Sequence, residues 1–278
     1  TDLKIIQALL NVYRRTNGEP PLPKDHTAGA SLAPHIEHFQ KQQLKTPAPD
    51  GRVDPGGRTL RGLLQCLRGC YTVLAVATPT KGKLTWDVEG HEGGLHHSRR
   101  LHVPDGNSGL TLGRGYDLRE RQGPNVQADL ANAGVPGDLA FKISRAAGKR
   151  GINASRFVID NDLLDFEITP QAQLKLFEIV YEEKLKEVRR VSELTNTIRD
   201  HGKVEWKKLD ARILDVLVDL TYRGDYRLDT RKFLQKHVVN NDFAKFKTEI
   251  AKKSNWPNVP QDRFERRKVY VETAQPRA

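Results

Sequence analysis

Apolar positions recur at helical spacing in the first fifteen residues, TDLKIIQALLNVYRR, where Leu3, Ile6, Leu9 and Leu10 share one face. A loop rich in proline and glycine (NGEPPLPKDHTAGA) separates them from HIEHFQKQQL, a second helical segment carrying Ile36, Phe39 and Leu44. PAPDGRVDPGG has the composition of a turn. TLRGLLQCLRGC then returns to helical spacing. Three short helices and two glycine-rich loops predict a small helical module over residues 1–72, ahead of a second domain over 73–278.

The pattern then changes. Tyr71 to Pro79 (YTVLAVATP) is apolar and β-branched, and residues 84–118 mix short β-like runs with glycine turns: LTWDVEGHEGG, RRLHVPDGNSG, LTLGRGYDL. Such runs predict a small antiparallel sheet. From about residue 124 the spacing is helical again. NVQADLANAG and GDLAFKISRAAG read as short helices that each end at a glycine. Thr169 and Pro170 stand as N-cap and first residue of a helix running from QAQLKLFEIV through KEVRRV. Asp210 to Tyr222 (DARILDVLVDLTY) is apolar nearly all round, which predicts a buried central helix. TRKFLQKHVV, DFAKFKTEIAKK and DRFERRKVYVETA are amphipathic with basic outer faces. A small sheet ahead of a helical lobe is an α+β class with a cleft between lobes.

Composition narrows the function classes. At 278 residues, 37% hydrophobic and 29% charged, the chain has the makeup of a globular protein. No run of eighteen apolar residues predicts a transmembrane helix, and no signal peptide opens the chain. The sequence contains no methionine, which reads as a piece or a processed form of a longer protein. A net charge of +11 and a pI near 9.6 favour an anionic partner, such as nucleic acid, anionic lipid or the carboxylate-rich bacterial wall. Aromatic residues, at 7%, are too few for a base-stacking strip. Cys66 and Cys70 lie four apart and read as free thiols, since two cysteines alone make no zinc site.

Three constellations could carry chemistry. GRGYDL contains G-x-G, but Leu118 stands where a dinucleotide loop needs its third glycine, and no Lys-Ser/Thr pair follows. HEGGLHH comes close to a zinc-binding H-E-x-x-H. However, His91 and His96 are five residues apart with two glycines between them, so one helical face does not present both, and His102 could join only through a different geometry. The third is a set of carboxylates. Glu89 and Glu92 each precede a glycine, and Asp105, Thr111 and Asp117 follow within reach of one hairpin. A proton-donating carboxyl with a raised pKa and a second acidic or polar group that places water are what glycoside hydrolysis requires.

Two stretches resemble known families. Ile6-Gln7, Phe39-Gln40 and the turn from Asp50 to Leu60 resemble the peptidoglycan-binding-domain family, whose members share an IQxLL helix, an xFQ helix and a DGxVDP-like turn. Before HIEHFQ the chain has KDHTAGA where that family usually carries a second DG turn. Over residues 80–274 the chain resembles the pesticin-type muramidases. These are relatives of the T-even phage lysozymes, and similar domains occur on type VI secretion spike proteins and effectors. The resemblance rests on Glu92-Gly93-Gly94, Val103-Pro104, the run Ser108 to Leu118, and a late turn from Trp256 to Pro260.

The second resemblance implies a lysozyme-like two-lobed domain that cleaves the β-1,4 bond between N-acetylmuramic acid and N-acetylglucosamine. It places the general acid at the glutamate of an E-G pair, Glu92 first and Glu89 second. Thr111 would hold the attacking water, with Asp117 as second acid by the pesticin pattern or Asp105 by the phage pattern. Gly109, Gly113 and Gly115 would let the backbone approach the glycan, and Arg114 and Tyr116 would line the substrate with them. Arg119 and the basic helices would attract the wall.

No metal or organic cofactor is needed. The implied setting is a bacterial antibacterial toxin, secreted as a monomer into a target cell's periplasm. Its partners would be glycan strands, a type VI spike or carrier and an immunity protein, with no nucleic acid and no membrane. Two other readings compete: a metal-dependent peptidoglycan amidase or peptidase using the histidines, and a wall-binding module without catalysis.

Overall fold

The structure is a computed structural model that describes residues 2–23, 29–69, 78–92, 97–104 and 106–276. Its first half contains α1 (Asp2–Thr16), α2 (Gly29–Gln42), α3 (Arg58–Gly69), α4 (Lys83–Val88), β1 (Thr111–Leu112) and β2 (Tyr116–Asp117). Next come α5 (Gly123–Asn132), α6 (Gly137–Ser144), α7 (Gly151–Asp160) and α8 (Pro170–Ser192). The chain ends with α9 (Thr195–His201), α10 (Ala211–Arg223), α11 (Leu228–Val239), α12 (Phe243–Ala251) and α13 (Gln261–Thr273). Helix dominates, and a two-stranded antiparallel sheet, β1–β2, completes an α+β composition. No helix among the described residues is long and apolar enough to cross a membrane. Two units can be distinguished: residues 1–77 with 90–176, and residues 78–89 with 177–278.

In the first unit, α1, α2 and α3 bury Leu9, Leu10, Tyr13, Ile36, Phe39, Leu63 and Cys66 around one core. Phe39 is fully enclosed, with its ring edge-to-face on Tyr13 at 4.9 Å. The neighbouring Gln40 ties this core to the DGR turn. Its Oε1 accepts from the backbone N–H groups of Asp50 (3.0 Å) and Gly51 (3.1 Å), while its Nε2 donates to Asp50 Oδ1 (2.7 Å) and Thr59 Oγ1 (3.0 Å). Gly51 has φ +65°, and a β-carbon there would press on Ala33 and Glu37. The boundary expected at residue 72 lies among residues 70–77, outside the described residues, as does Cys70. Within the same unit, α1 carries polar groups to the segment after α7. Lys4 pairs with Asp162 at 3.1 Å, and Arg15 donates to the Asp165 carbonyl at 3.2 Å.

Two helix starts follow from local chemistry. Thr169 Oγ1 accepts from the N–H of Ala172 at 3.1 Å, capping α8 just ahead of Pro170. Asp210 caps α10 by accepting from the N–H of Arg212 at 2.8 Å. In the second unit, α10 is buried along Asp215–Leu220, as its apolar pattern predicts. Two carboxylates lie within that buried run. Asp215 accepts from the hydroxyls of Tyr181 (3.2 Å) and Tyr270 (2.5 Å), and Asp219 accepts from Arg267 Nε (2.6 Å).

The sheet expected over residues 84–118 is smaller than predicted. LTWDV is helical in α4, starting behind Gly82 at φ +70°. Trp86 is buried edge-to-face on Phe177 at 5.0 Å, so tertiary packing overrides the β-like composition. Among the described residues, β-structure is confined to the two short strands and to isolated bridges such as His102 with Thr111 and Arg100 with Glu167. Helices α7 and α9 lie where the apolar pattern marks none. In α7 the buried positions are Gly151, Ala154, Phe157 and Val158, and only the last two are large enough to show in a hydrophobic pattern.

Candidate functional site

The hairpin β1–β2 is organised by strand alternation. Leu112 faces Tyr116 across it, and Thr111 faces Asp117. Leu110, Leu112, Tyr116 and Leu118 are completely buried, so one face of the hairpin is core. Thr111 and Asp117 project from the opposite face, because directly opposed residues point the same way. Thr111 also exchanges both backbone bonds with His102, at 2.8 and 3.0 Å. Its own N–H and C=O are therefore turned away from β2, which makes Thr111–Asp117 a non-hydrogen-bonded pair with closely spaced side chains. Three side chains stand in a row on this face: His102, Thr111 and Asp117.

Each member of the row is held. Asp117 Oδ1 accepts from the N–H of Arg119 at 2.7 Å, leaving the side chain 34% exposed. This carboxylate lies against Gly109, where any β-carbon would collide with it and with Arg119. Thr111 is buried and its hydroxyl is 3.4 Å from the Gly109 carbonyl. His102 is partly buried, with Nδ1 2.9 Å from the Arg100 carbonyl. The turn between the strands needs left-handed backbone at Gly113 (φ +62°) and Gly115 (φ +86°), so any side chain would be strained at either position.

At the turn end of the hairpin lies Glu92, enclosed by donors. Its Oε1 accepts from Gln173 Nε2 (2.6 Å) and Arg114 Nη2 (3.4 Å), and its Oε2 accepts from Arg99 Nε (2.9 Å). His97 Nδ1 is 3.8 Å from Oε2. The other nitrogen of that buried ring is 3.2 Å from Glu167 Oε1, which Arg99 Nη1 reaches at 2.7 Å. Burial pushes the Glu92 carboxyl up. The hydrogen bonds from Gln173 and Arg99, with the charges of Arg99 and His97, outweigh it and hold the carboxyl below the usual glutamate range. Glu167 follows the same balance: burial raises it, and His97, Arg99 and Arg100 bring it down further than that. A raised pKa was expected at Glu92, and its surroundings produce the opposite shift.

Glu89 belongs to the second unit. It caps the C-terminal end of α4, and its Oε1 accepts from Arg263 Nη2, a guanidinium that also contacts Asp219 at 3.3 Å. Arg267 continues this network to Asp219 and Asp225.

A family model described as a domain of unknown function (DUF8812) matches residues 82–268, more than half of the chain. The chain belongs to this family. No curated protein matches it. The DUF8812 domain takes in Glu89, Glu92, the hairpin and the helices through most of α13, and leaves α1, α2 and α3 outside.

Within the DUF8812 domain, the sequence-predicted residues are distributed unevenly. Thr111 and Asp117 come together as cross-strand partners, and Arg114 reaches Glu92. Asp105, Gly93, Gly94 and His96 lie outside the described residues. Tyr116 is corrected from a substrate-lining residue to a core one: it has no exposed surface, its hydroxyl donates to Asp129 at 2.6 Å, and Arg121 covers its ring. Arg114 is 5% exposed and also donates to the Gly90 carbonyl at 2.8 Å, so its guanidinium is engaged inward. Among the described residues no group of three His, Cys, Asp or Glu side chains is arranged to hold a metal ion. Gln173, Arg99 and Glu167 around Glu92 were not read from the sequence. The one signal near them is the Thr169-Pro170 start that places Gln173 in the first turn of α8.

Proposed function

We propose that this protein is a peptidoglycan hydrolase of the muramidase type, a lysozyme-like glycoside hydrolase acting as a secreted antibacterial effector in the periplasm of a target cell. The observation that carries the reading is the hairpin register. It sets the hydroxyl of Thr111 beside a partly exposed carboxylate, Asp117, on a face whose opposite side is core. A hydroxyl and a carboxylate side by side suit the placing of one water molecule.

In the proposed reaction the glycosidic C–O bond breaks as a glutamic acid gives its proton to the leaving oxygen. Water held by Thr111 adds its oxygen to the anomeric carbon and loses a proton to Asp117. The donor must carry a proton at working pH. Glu92 is a poor candidate, because three donors and a histidine hold it ionised. Glu92 then serves to anchor the turn of the hairpin through Arg114. The net charge of +11 supports attraction to the anionic wall, and α1 to α3 supply a glycan-binding module.

Muropeptides released from purified sacculi test the reading by mass spectrometry. Wild type is expected to release fragments with reducing muramic acid ends. Asp117→Asn is expected to release about a hundredfold less or lower still, and Glu92→Gln to retain activity in proportion to its folded fraction. A wild type that solubilises nothing, or that frees peptides in a chelator-sensitive way, refutes the muramidase. A folded but inert Glu92→Gln returns the acid role to Glu92.

A further inference from the structure

We propose that the second unit holds a small-anion site at Arg231 and Gln235, taking a halide ion. The site stands apart from the muramidase reading and does not depend on it. Both residues lie on α11 one turn apart, so their side chains share a face of the helix. Arg231 is 8% exposed and Gln235 is fully buried. Arg231 Nε and Gln235 Nε2 are both enclosed donors without a hydrogen-bond partner. The two side chains meet at Tyr226. The Arg231 guanidinium lies 5.7 Å from the centre of its ring, and its hydroxyl donates to Gln235 Oε1. With its one proton used there, the hydroxyl accepts from Ser192 Oγ at 3.1 Å, which ties the end of α8 to α11.

Charge identifies the ligand. A guanidinium stays protonated in proteins, and a charge so deeply buried calls for a counter-charge. Among the described residues no carboxylate pairs with Arg231. Glu187 feels its charge, yet both Glu187 oxygens accept from Arg190 at 2.7 Å in an exposed pair. Burial pushes the Tyr226 phenol up to about 12, so this group stays a neutral hydroxyl and does not act as the anion. The site therefore offers two N–H donors, a fixed positive charge and no free acceptor. Water would satisfy the Gln235 amide and leave the guanidinium uncompensated. A halide ion accepts from both donors, balances the charge and needs no acceptor in return.

Chemical denaturation of the full chain tests the site. Total salt is held at about 0.5 M while chloride replaces gluconate, an anion too bulky for an enclosed position. The exchange is expected to lower the unfolding constant of the wild type about tenfold more than that of Arg231→Met, as a site with a Kd of about 50 mM requires. General salt effects act on both proteins and cancel in this difference. Gln235→Glu keeps the acceptor for the Tyr226 hydroxyl and brings a carboxylate to Arg231. It is expected to exceed the wild type in gluconate and to lose the chloride response. Equal responses in wild type and Arg231→Met, or a full response in Gln235→Glu, overturn the site. If Arg231→Met does not fold, the wild type alone decides. Crystals soaked in bromide are expected to show an anomalous peak within about 3.5 Å of Arg231 Nε and Gln235 Nε2, and data without a peak there refute the proposal.

Discussion

Gln173 donates its side-chain amide to Glu92 at 2.6 Å across eighty-one residues of sequence. Gln173 is fully buried, and its own Oε1 has no hydrogen-bond partner. The carboxylate therefore gains a donor at the expense of an orphaned carbonyl. Gln173→Leu removes both. The Glu92 carboxyl is expected to titrate at higher pH in this variant, because a donor to its charged form is lost. Carbon NMR of the labelled side chain reads the change. A titration that does not move rules out Gln173 as a determinant of the Glu92 charge.

Acid should weaken the first unit in a defined window. Glu92 and Glu167 both have folded pKa values below the ordinary range. A depressed carboxylate stabilises the fold above its unfolded pKa, about 4.3 for glutamate, and that contribution drains as pH falls through the folded value. Urea midpoints at pH 7 and pH 3 are therefore expected to differ more in the wild type than in Glu92→Gln/Glu167→Gln. Equal losses in both proteins would show that these carboxyls do not couple to folding.

Gly109→Ala tests the seat of Asp117. The added methyl meets the carboxylate and the Arg119 backbone, so one of them must move. A loss of about 1 to 3 kcal/mol is expected from overpacking, together with a fall in any sacculus-solubilising activity that depends on Asp117. Chemical denaturation measures the first and turbidity clearing the second. A variant of wild-type stability would mean that the strand yields there at no cost.

Arg267→Met probes the second unit. Arg267 is buried and bonds Asp219 at 2.6 Å and Asp225 at 2.8 Å. Its removal leaves two carboxylates short of a counter-charge, although Arg263 and Arg223 still touch them. A destabilisation of about 3 kcal/mol is expected, visible as a lowered thermal midpoint. Arg267→Lys should fall between the two, since one ammonium keeps the charge but not the fork.

What could be read from the sequence was local. Thr169 and Pro170 announce α8, Asp210 announces α10, and the DG turn after PAP folds as a turn because its neighbours within twenty residues suffice to hold it. Length misled at LTWDV: five residues are too few to separate a strand from a helix, and burial of Trp86 decided the matter. The apolar run of α10 concealed Asp215 and Asp219, whose partners Tyr181, Tyr270 and Arg267 come from other helices. The hairpin pair Thr111–Asp117 was expected on one hairpin, but His102 joins it only through a bridge of backbone groups, which leaves no trace in residue type. The Glu92 surroundings were hidden for the same reason. Arg99, Arg114 and Gln173 converge on it from three separate segments, and their convergence reverses the pKa shift that an E-G pair suggests.

The alternation along the hairpin has a practical consequence for engineering. Leu110, Leu112, Tyr116 and Leu118 hold the packing, while His102, Thr111 and Asp117 occupy the other side of the same backbone. A combinatorial library randomised at 102, 111 and 117 leaves every one of those packing side chains as it is. Folded clones should therefore be common in such a library, and selection among them would act on ligand choice instead of on survival of the scaffold.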